Sequence, residues 1–277
     1  MPQASKEKRQ EQDTKQQVRS DLKSLSLSTT GLNILHPSGK GVILHDLNFT
    51  IPAGSLTMLI GTNGIGKTTL LRALAGLDKS TGRISYGTTE LSTISVREQA
   101  RYRAYIGQEE SIAPGFSVYE SIGLARIPFP RDKAKDDKLI NHAIKALELD
   151  DLAHRPLGSL SGGQKRRALI ARALAQDVPL IILDEPLNHL DIHHQIHLVN
   201  TLRATGRTVI MSVHDLDLAY QCADHIMLID EDGLHFGSPE EIATAPRLSS
   251  AFGVSLNRAR TFPEEHLIIS YPTQHKA

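Results

Sequence analysis

Apolar residues are unevenly spread along the 277-residue chain, and their spacing divides it into segments of different kinds. Residues 1–23 hold only four apolar side chains among many charged and amide groups, which predicts a disordered polar tail. From Leu25, the alternation in SLSLSTTGLNIL and the run VILHDLNFTI indicate strands, followed by a turn at Pro52–Gly54. We therefore expect the folded part of the chain to open with β structure.

After residue 55 the pattern changes to short apolar runs separated by helical spacing. The run at 56–60 ends at a glycine, and the segment 70–77 has helical periodicity. Prolines then punctuate two amphipathic segments, which predicts a small helical subdomain at about 112–165. Beyond it, strands and helices alternate as in a parallel α/β sheet, with helices predicted at 162–176, 191–204 and 215–223 and strands at 180–183, 208–212 and 225–230.

Composition excludes several classes of function. Lys plus Arg number 31 and Asp plus Glu number 31, so no net field favours a nucleic-acid partner. The single cysteine, Cys222, cannot form an internal disulfide, and the opening MPQASKEKRQ has no signal-peptide apolar run. No stretch approaches the 18 or so apolar residues of a membrane span. We expect an intracellular protein whose membrane role, if any, comes through a partner.

The segment Gly61–Thr68 reads GTNGIGKT and satisfies the phosphate-loop pattern. Glycines allow backbone N–H groups to close on phosphates, Lys67 supplies positive charge, and the Thr68 hydroxyl suits Mg²⁺. The alternative is a glycine turn without a ligand, and the strand before and helix after the loop disfavour it. The candidate nucleotide-binding residues here are Asn63, Gly64, Gly66, Lys67, Thr68 and Thr69.

A second motif follows the apolar run at 180–183. Asp184, at the end of this buried strand, is placed to hold Mg²⁺ beside the phosphate loop. Glu185 would then orient or deprotonate the attacking water. The alternative is a polar strand end that carries two solvated acids.

Together with these two motifs, the segment LSGGQ at 160–164 resembles the signature of ATP-binding cassette (ABC) ATPases. The resemblance covers about residues 25–255 and includes Gln108 at the glutamine loop, Asn188–Asp191 at the D-loop and His214 at the switch histidine. Standing alone, LSGGQ could be a plain helix cap, and Gln108 and His214 could be ordinary surface or core residues.

The resemblance implies a P-loop NTPase core of the ABC ATPase type, with an N-terminal antiparallel β subdomain and an inserted α-helical subdomain. It places the ABC ATPase domain at 24–255 and a C-terminal extension at 256–277. It also implies a head-to-tail homodimer, in which each ATP lies between one chain's phosphate loop and the other's signature. His214 would contact the γ-phosphate and Gln108 the metal or water, and the signature and D-loop would contribute Ser161, Gly162, Gly163, Gln164 and Asp191.

The resemblance further suggests an ATP-hydrolysing transport subunit on the cytoplasmic side of the cell membrane. It would act with an integral membrane permease and, indirectly, an external substrate-binding protein. The segments NHLDIHHQ, ADHIMLIDEDG, GSPEEI and AFGV are similar to the importer branch for ferric siderophores, haem and cobalamin. The alternatives are an importer of another metal such as zinc or manganese, a soluble ABC ATPase, and a regulatory module that no longer hydrolyses ATP.

Three local features needed separate interpretation. His36 stands where the resembling family places an aromatic residue against adenine, so it is predicted to stack on the base; the alternative is a solvent-facing loop residue. The spacing of His189, His193 and His197 could suggest a Zn²⁺ site. We reject this interpretation because the motif lacks the expected glutamate and His189 lies in the D-loop. The cluster at 165–167 (KRR) was interpreted as a solvated helix face.

One loop was predicted to connect the ATP site with the helical subdomain. Gln108 begins it, and Glu109 and Glu110 follow. A loop that contacts the metal at one end and enters a separate lobe at the other can transmit nucleotide occupancy. Its two carboxylates would favour a basic segment of the permease, and the alternative is a solvated acidic loop.

Overall fold

A computed structural model describes residues 23–36, 38, 41–108 and 115–253, together with the strands at 255–261 and 264–270. The predicted polar tail, except Lys23, lies outside the described residues. The Glu109–Glu110 pair of the predicted coupling loop also lies outside them.

The N-terminal part forms a four-stranded antiparallel sheet, as the resemblance implied, and the sequence pattern predicted its first two strands. Its strands are β1 (Leu27–Leu35), β2 (Val42–Ile51), β4 (Ser80–Tyr86) and β5 (Thr89–Glu90), in the order β2-β1-β4-β5. Along β1 buried positions mostly alternate with more exposed ones, because one face packs on the core. The prolyl-glycyl turn at Pro52–Gly54 then leads from β2 into the second sheet.

The second sheet has six strands in the order β10-β9-β3-β8-β7-β6 and confirms the predicted α/β class. Five strands run parallel, and only β10 pairs antiparallel, to β9. Their bounds are β3 Leu56–Gly61, β6 Arg103–Ile106, β7 Leu180–Leu183, β8 Thr208–Ser212, β9 His225–Asp230 and β10 Gly233–Gly237. Since β3, β8 and β7 are neighbours, the phosphate loop, the two acids and the segment 212–214 leave the sheet side by side.

Nine α-helices occur among the described residues. None of them has the length and apolar character that crossing a membrane requires. Their bounds are α1 Lys67–Leu74, α2 Val96–Gln99, α3 Val118–Gly123, α4 Lys133–Ala146, α5 Gly162–Ala175, α6 Ile192–Ala204, α7 Leu216–Cys222, α8 Pro239–Ile242 and α9 Ala245–Phe252.

The helices α3 and α4 pack against α5 rather than forming a separate core. Val118 and Ile122 of α3 and Ile140 and Ile144 of α4 are buried in the same hydrophobic cluster as the central sheet. Burying one such side chain stabilises the fold by about 1.5–3 kcal/mol, so this packing fixes the helical segment on the signature helix.

A β-hairpin follows α9 within the predicted C-terminal extension. Strand β11 (Ser255–Thr261) pairs antiparallel with β12 (Glu264–Ser270), and β12 lies against α7. The sequence pattern had predicted no element here.

Candidate active site

The loop between β3 and α1 has a conformation that requires its glycines. Gly64 and Gly66 have φ values of 78° and 110°, in the left-handed region that residues with a side chain rarely adopt. A Cβ on Gly66 would also lie 2.9 Å from the Ile43 side chain, and one on Gly61 would lie 2.7 Å from the Ile229 carbonyl oxygen. The loop therefore presents bare backbone at the N-terminus of α1, where free N–H groups bind anions.

Lys67 lies inside this loop. Its Nζ atom donates hydrogen bonds to the carbonyl oxygens of Gly61 (2.7 Å) and Thr62 (3.0 Å), and the residue is 6% exposed. Burial lowers the pKa of Lys67, and the negative charges of Glu185 and Asp184 oppose that shift. The ammonium group is thus held beside two carboxylates at the place where a phosphate would bring further negative charge.

Asp184 joins the phosphate loop to the strand β8. The Thr68 hydroxyl donates to one oxygen of its carboxylate (2.7 Å), and the Ser212 hydroxyl donates to the other (2.7 Å). The carboxylate is fully buried. A hydroxyl and a carboxylate in direct contact are the hard oxygen ligands that Mg²⁺ prefers, so these residues fit that ion.

Glu185 is held at the same sheet edge by three contacts. Its Oε1 atom lies 2.8 Å from Nε2 of His214, and its Oε2 atom accepts a hydrogen bond from the Asn188 amide (2.6 Å). Its backbone N–H donates to the Ser212 hydroxyl (2.7 Å). Its φ of 49° is unusual for a residue other than glycine, and such backbone strain is common at active sites.

The interpretation of residues 165–167 as a solvated face was wrong for Arg166, which is 6% exposed. Its guanidinium donates to the carbonyl oxygens of Gly107 (2.8 Å) and Asp184, and so connects the signature helix α5 with the ends of β6 and β7. The apolar periodicity could have identified it, because Leu169, Ile170 and Ala173 lie on the same face of the helix.

The signature forms a capped helix start that packs on the D-loop. The Ser161 hydroxyl accepts from the backbone N–H of Gln164, whose side chain accepts from the N–H of Ser161. A Cβ on Gly163 would lie 2.7 Å from the His189 carbonyl oxygen, so only glycine allows this approach. The motif thus caps a helix, which is the alternative role that the sequence allowed. It also borders a cleft of about 520 Å³, and Gly162 is among the residues that line this cleft.

Asp191 begins the next helix and lines the same cleft. Its carboxylate accepts from the His194 backbone N–H (2.9 Å) and contacts the His194 ring (2.8 Å). These contacts lower the pKa of Asp191. The residues that line this cleft include none from the phosphate loop. Within the part of the chain that the structure describes, the cleft is therefore a second surface, distinct from the Lys67 site.

Gln108 and the remaining loop residues lie around the first site. Gln108 is exposed just beyond β6, which pairs with β7 so that Ile106 faces Leu183. This register brings it next to the acids that follow β7. Asn63 is exposed in the phosphate loop, and Thr69 lies in the first turn of α1.

The predicted adenine contact, His36, is exposed at the end of β1. Its Nδ1 atom contacts the hydroxyl (2.7 Å) and the backbone N–H (3.1 Å) of Ser38. Ile43, which the sequence analysis did not single out, lies directly against the phosphate loop at Gly66. Stacking of His36 on the base therefore stays a prediction. Ile43 is an apolar neighbour of the phosphate loop.

A glycine loop with a buried lysine, bonded through its threonine to an aspartate on a nearby strand, defines a P-loop nucleoside triphosphatase. The ABC transporter family matches residues 44–188, just over half of the chain. The chain belongs to this family, whose ATP-binding subunits bind and hydrolyse ATP.

Individual relatives are similar over most of the chain. The petrobactin import ATP-binding protein FpuD of Bacillus anthracis is 36% identical, over 77% of this chain and 82% of its own. The hemin import ATP-binding protein HmuV of Bordetella pertussis is 34% identical, over 80% of this chain and 90% of its own. A solved inward-facing conformation of a metal-chelate type ABC transporter superposes with a TM-score of 0.77 at 27% identity, covering 90% of this chain and 99% of that chain.

Proposed function

We propose that this chain is the ATP-hydrolysing subunit of an importer that takes up an iron chelate, such as a ferric siderophore or haem, or cobalamin, through a separate integral membrane permease. The observation that supports hydrolysis is the contact network around Glu185, whose carboxylate contacts His214 and whose backbone N–H donates to the Ser212 hydroxyl. The import of petrobactin and hemin named for two relatives supports the iron-chelate cargo.

The hydrolysis step follows from the groups at the sheet edge. Lys67 and the loop N–H groups would bind the phosphates of ATP, and Glu185 would orient a water and accept its proton. His214, which contacts Glu185, would bind the γ-phosphate. Thr68 and Asp184 would hold Mg²⁺, with Gln108 beside them, and the ion would supply charge that neutralises the phosphates.

The second cleft supports a homodimer. Ser161, Gly162, Gly163 and Gln164 present the N-terminus of α5, where free N–H groups suit a γ-phosphate. Because this surface is distinct from the phosphate loop of the same chain, it would meet the ATP that a second copy binds. Asp191, at the D-loop end, would lie at the same contact.

A groove with exposed leucines supports docking of the permease. A cleft of about 330 Å³ separates the core from the helical segment, and exposed Leu77 and Leu124 line it. Val96 and Ile127 are also exposed in neighbouring segments, at 70% and 69%. A short permease helix could cover these side chains, which would keep the subunit on the cytoplasmic side of the membrane, with an external substrate-binding protein acting only through the permease.

Two relatives are ATP-binding subunits that import petrobactin and hemin. This similarity does not favour the alternatives of a soluble ABC ATPase or of an importer for zinc or manganese. The network around Glu185 likewise argues against a module that cannot hydrolyse ATP.

Purification from detergent-solubilised host membranes tests the proposal. We expect the parent chain to copurify with a polytopic permease at a fixed ratio, and the complex to hydrolyse ATP. Leu124→Glu should lose the permease while the isolated variant keeps its ATPase rate, and His142→Glu, at an exposed position elsewhere in the helical segment, controls for the added charge. Full ATPase activity with no membrane partner would overturn the transport proposal and leave the enzyme assignment intact.

A further inference from the structure

Two histidines at the start of α6 have no part in the proposed hydrolysis. His193 and His194 lie with Asp191 in a cluster whose potential ligand atoms are all within 4.8 Å of one another. His193 is exposed, and the two imidazole rings meet edge to face with centroids 5.4 Å apart. The cluster differs from the His189, His193 and His197 set suggested by spacing.

The structure explains why the spacing set does not form. His189 precedes the first turn of α6 and has a φ of 65°, so it is off the helical repeat. His197 directs its Nε2 atom at the Ala146 carbonyl oxygen, 2.9 Å away. Of that set, only His193 belongs to a group of three or more potential metal ligands among the described residues.

Part of the coordination geometry is already present. Nδ1 of His194 lies 2.8 and 2.9 Å from the two oxygens of Asp191. Ligands about 2.1 Å from a tetrahedral ion lie roughly 3.4 Å apart, so an ion could replace the proton between these groups with a small displacement. The potential ligand atom of His193 lies within 4.8 Å of those of Asp191 and His194, so a displacement of at most about 1.4 Å would complete the set.

The surrounding charges are compatible with a cation. The Glu148 carboxylate lies 3.8 Å from Nε2 of His194, and Arg167, 3.6 Å away from Glu148, balances it. The positive end of the α6 dipole disfavours a cation, and the Asp191 carboxylate offsets this because it lies at the same end. Asp191 and His194 line the cleft beside the signature, which is wide enough for an ion with bound water.

We propose that Asp191, His193 and His194 bind one divalent transition-metal ion at the edge of the cleft beside the signature motif, which Asp191 and His194 line. Two imidazoles and a carboxylate suit zinc, nickel, cobalt or ferrous iron better than magnesium or calcium. Protons compete with the ion for imidazole and carboxylate ligands, so affinity falls as the pH falls. The site shares Asp191 and this cleft with the proposed dimer contact, and it does not depend on the transported cargo.

Calorimetric titration with zinc chloride tests the site on the full chain, without an affinity tag, freed of metal and without nucleotide. We expect one ion per chain at pH 7.5 and weaker binding at pH 5.5. His193→Ala and His194→Ala should each weaken binding by about tenfold or more. The matched control is His142→Ala, which removes an exposed histidine from α4 and should leave binding unchanged.

Cobalt gives a second readout, since its visible absorption reports the ligand set directly. The parent should develop a spectrum that His193→Ala lacks. His194→Ala could disturb the start of α6, whereas His193 is exposed and makes His193→Ala the decisive variant. Equal zinc affinity in the parent and His193→Ala, or no saturable binding below about 1 mM, would overturn the proposal.

Discussion

Nε2 of His214 lies 2.8 Å from Oε1 of Glu185. The two residues leave neighbouring strands, β8 and β7, so the parallel register of the sheet sets this contact. Ser212 strengthens it, because its hydroxyl joins the Asp184 carboxylate to the Glu185 backbone N–H. The acid that would activate water and the histidine that would bind the γ-phosphate are thus in direct contact.

Replacing the proposed base should separate binding from turnover. Glu185→Gln keeps the shape of the side chain and removes its basicity, so we expect ATP affinity to persist while steady-state ATPase falls by about 10² to 10⁴. The variant should also accumulate as an ATP-bound dimer in gel filtration. A steady-state rate equal to that of the parent would contradict the assignment.

The buried guanidinium of Arg166 should matter for stability. Arg166→Met keeps most of the volume and leaves the carbonyl oxygens of Gly107 and Asp184 without their donor, which should cost about 2 kcal/mol of unfolding free energy. Urea denaturation measures the change. Lys165→Met, at the half-buried position before it, should stay within about 0.5 kcal/mol. Equal stability of the two variants would show that Arg166 is not a structural link.

We expect the close packing of the signature on the D-loop to require glycine at position 163. In Gly163→Ala the new methyl group would meet the His189 carbonyl oxygen, so the loop must shift, at a cost of about 1–3 kcal/mol. We expect reduced stability and weaker ATP-dependent dimerisation. Gly158→Ala is the matched control, because nothing lies within 4 Å of its added carbon. If both variants dimerise as the parent does, the close packing of signature and D-loop has no functional role.

The adenine prediction for His36 can be decided by titration calorimetry. If the imidazole stacks on the base and contributes about 1 kcal/mol, His36→Ala should weaken ATP binding about fivefold and His36→Tyr should not. Since His36 is exposed, neither change should alter folding. Equal ATP affinity for all three proteins would mean that His36 points elsewhere.

The sequence predicted the strands of the central sheet best where burial is complete. The bounds of β7 and β8 agree with the apolar runs because every position in both is buried. Helix α1 begins three residues earlier than its apolar pattern, since the left-handed Gly66 caps it ahead of the first leucine. The polar strand β4 was missed because pairing with β1, distant in sequence, stabilises it.

The candidate site was predictable wherever a motif fixes both residue type and order. Thr68, Asp184 and Glu185 meet as expected because strands adjacent in the sheet end at one edge. Arg166 was missed because its charge was weighed more heavily than its place on the apolar face of α5. The contact between Asp191 and His194 depends on a helix cap, whose side-chain geometry the spacing alone does not show.

Uptake by cells measures directly whether ATP hydrolysis by this chain drives import. Cells of the host that lack this chain should be supplied with the parent or with Glu185→Gln, at matched protein levels, and given labelled ferric siderophore, haem or cobalamin. We expect the parent to restore energy-dependent uptake of at least one of these cargoes and Glu185→Gln to leave it at background. No restored uptake of any of the three cargoes by the parent, or uptake of the restored cargo at the parent rate with Glu185→Gln, would contradict ATP-driven import by this chain.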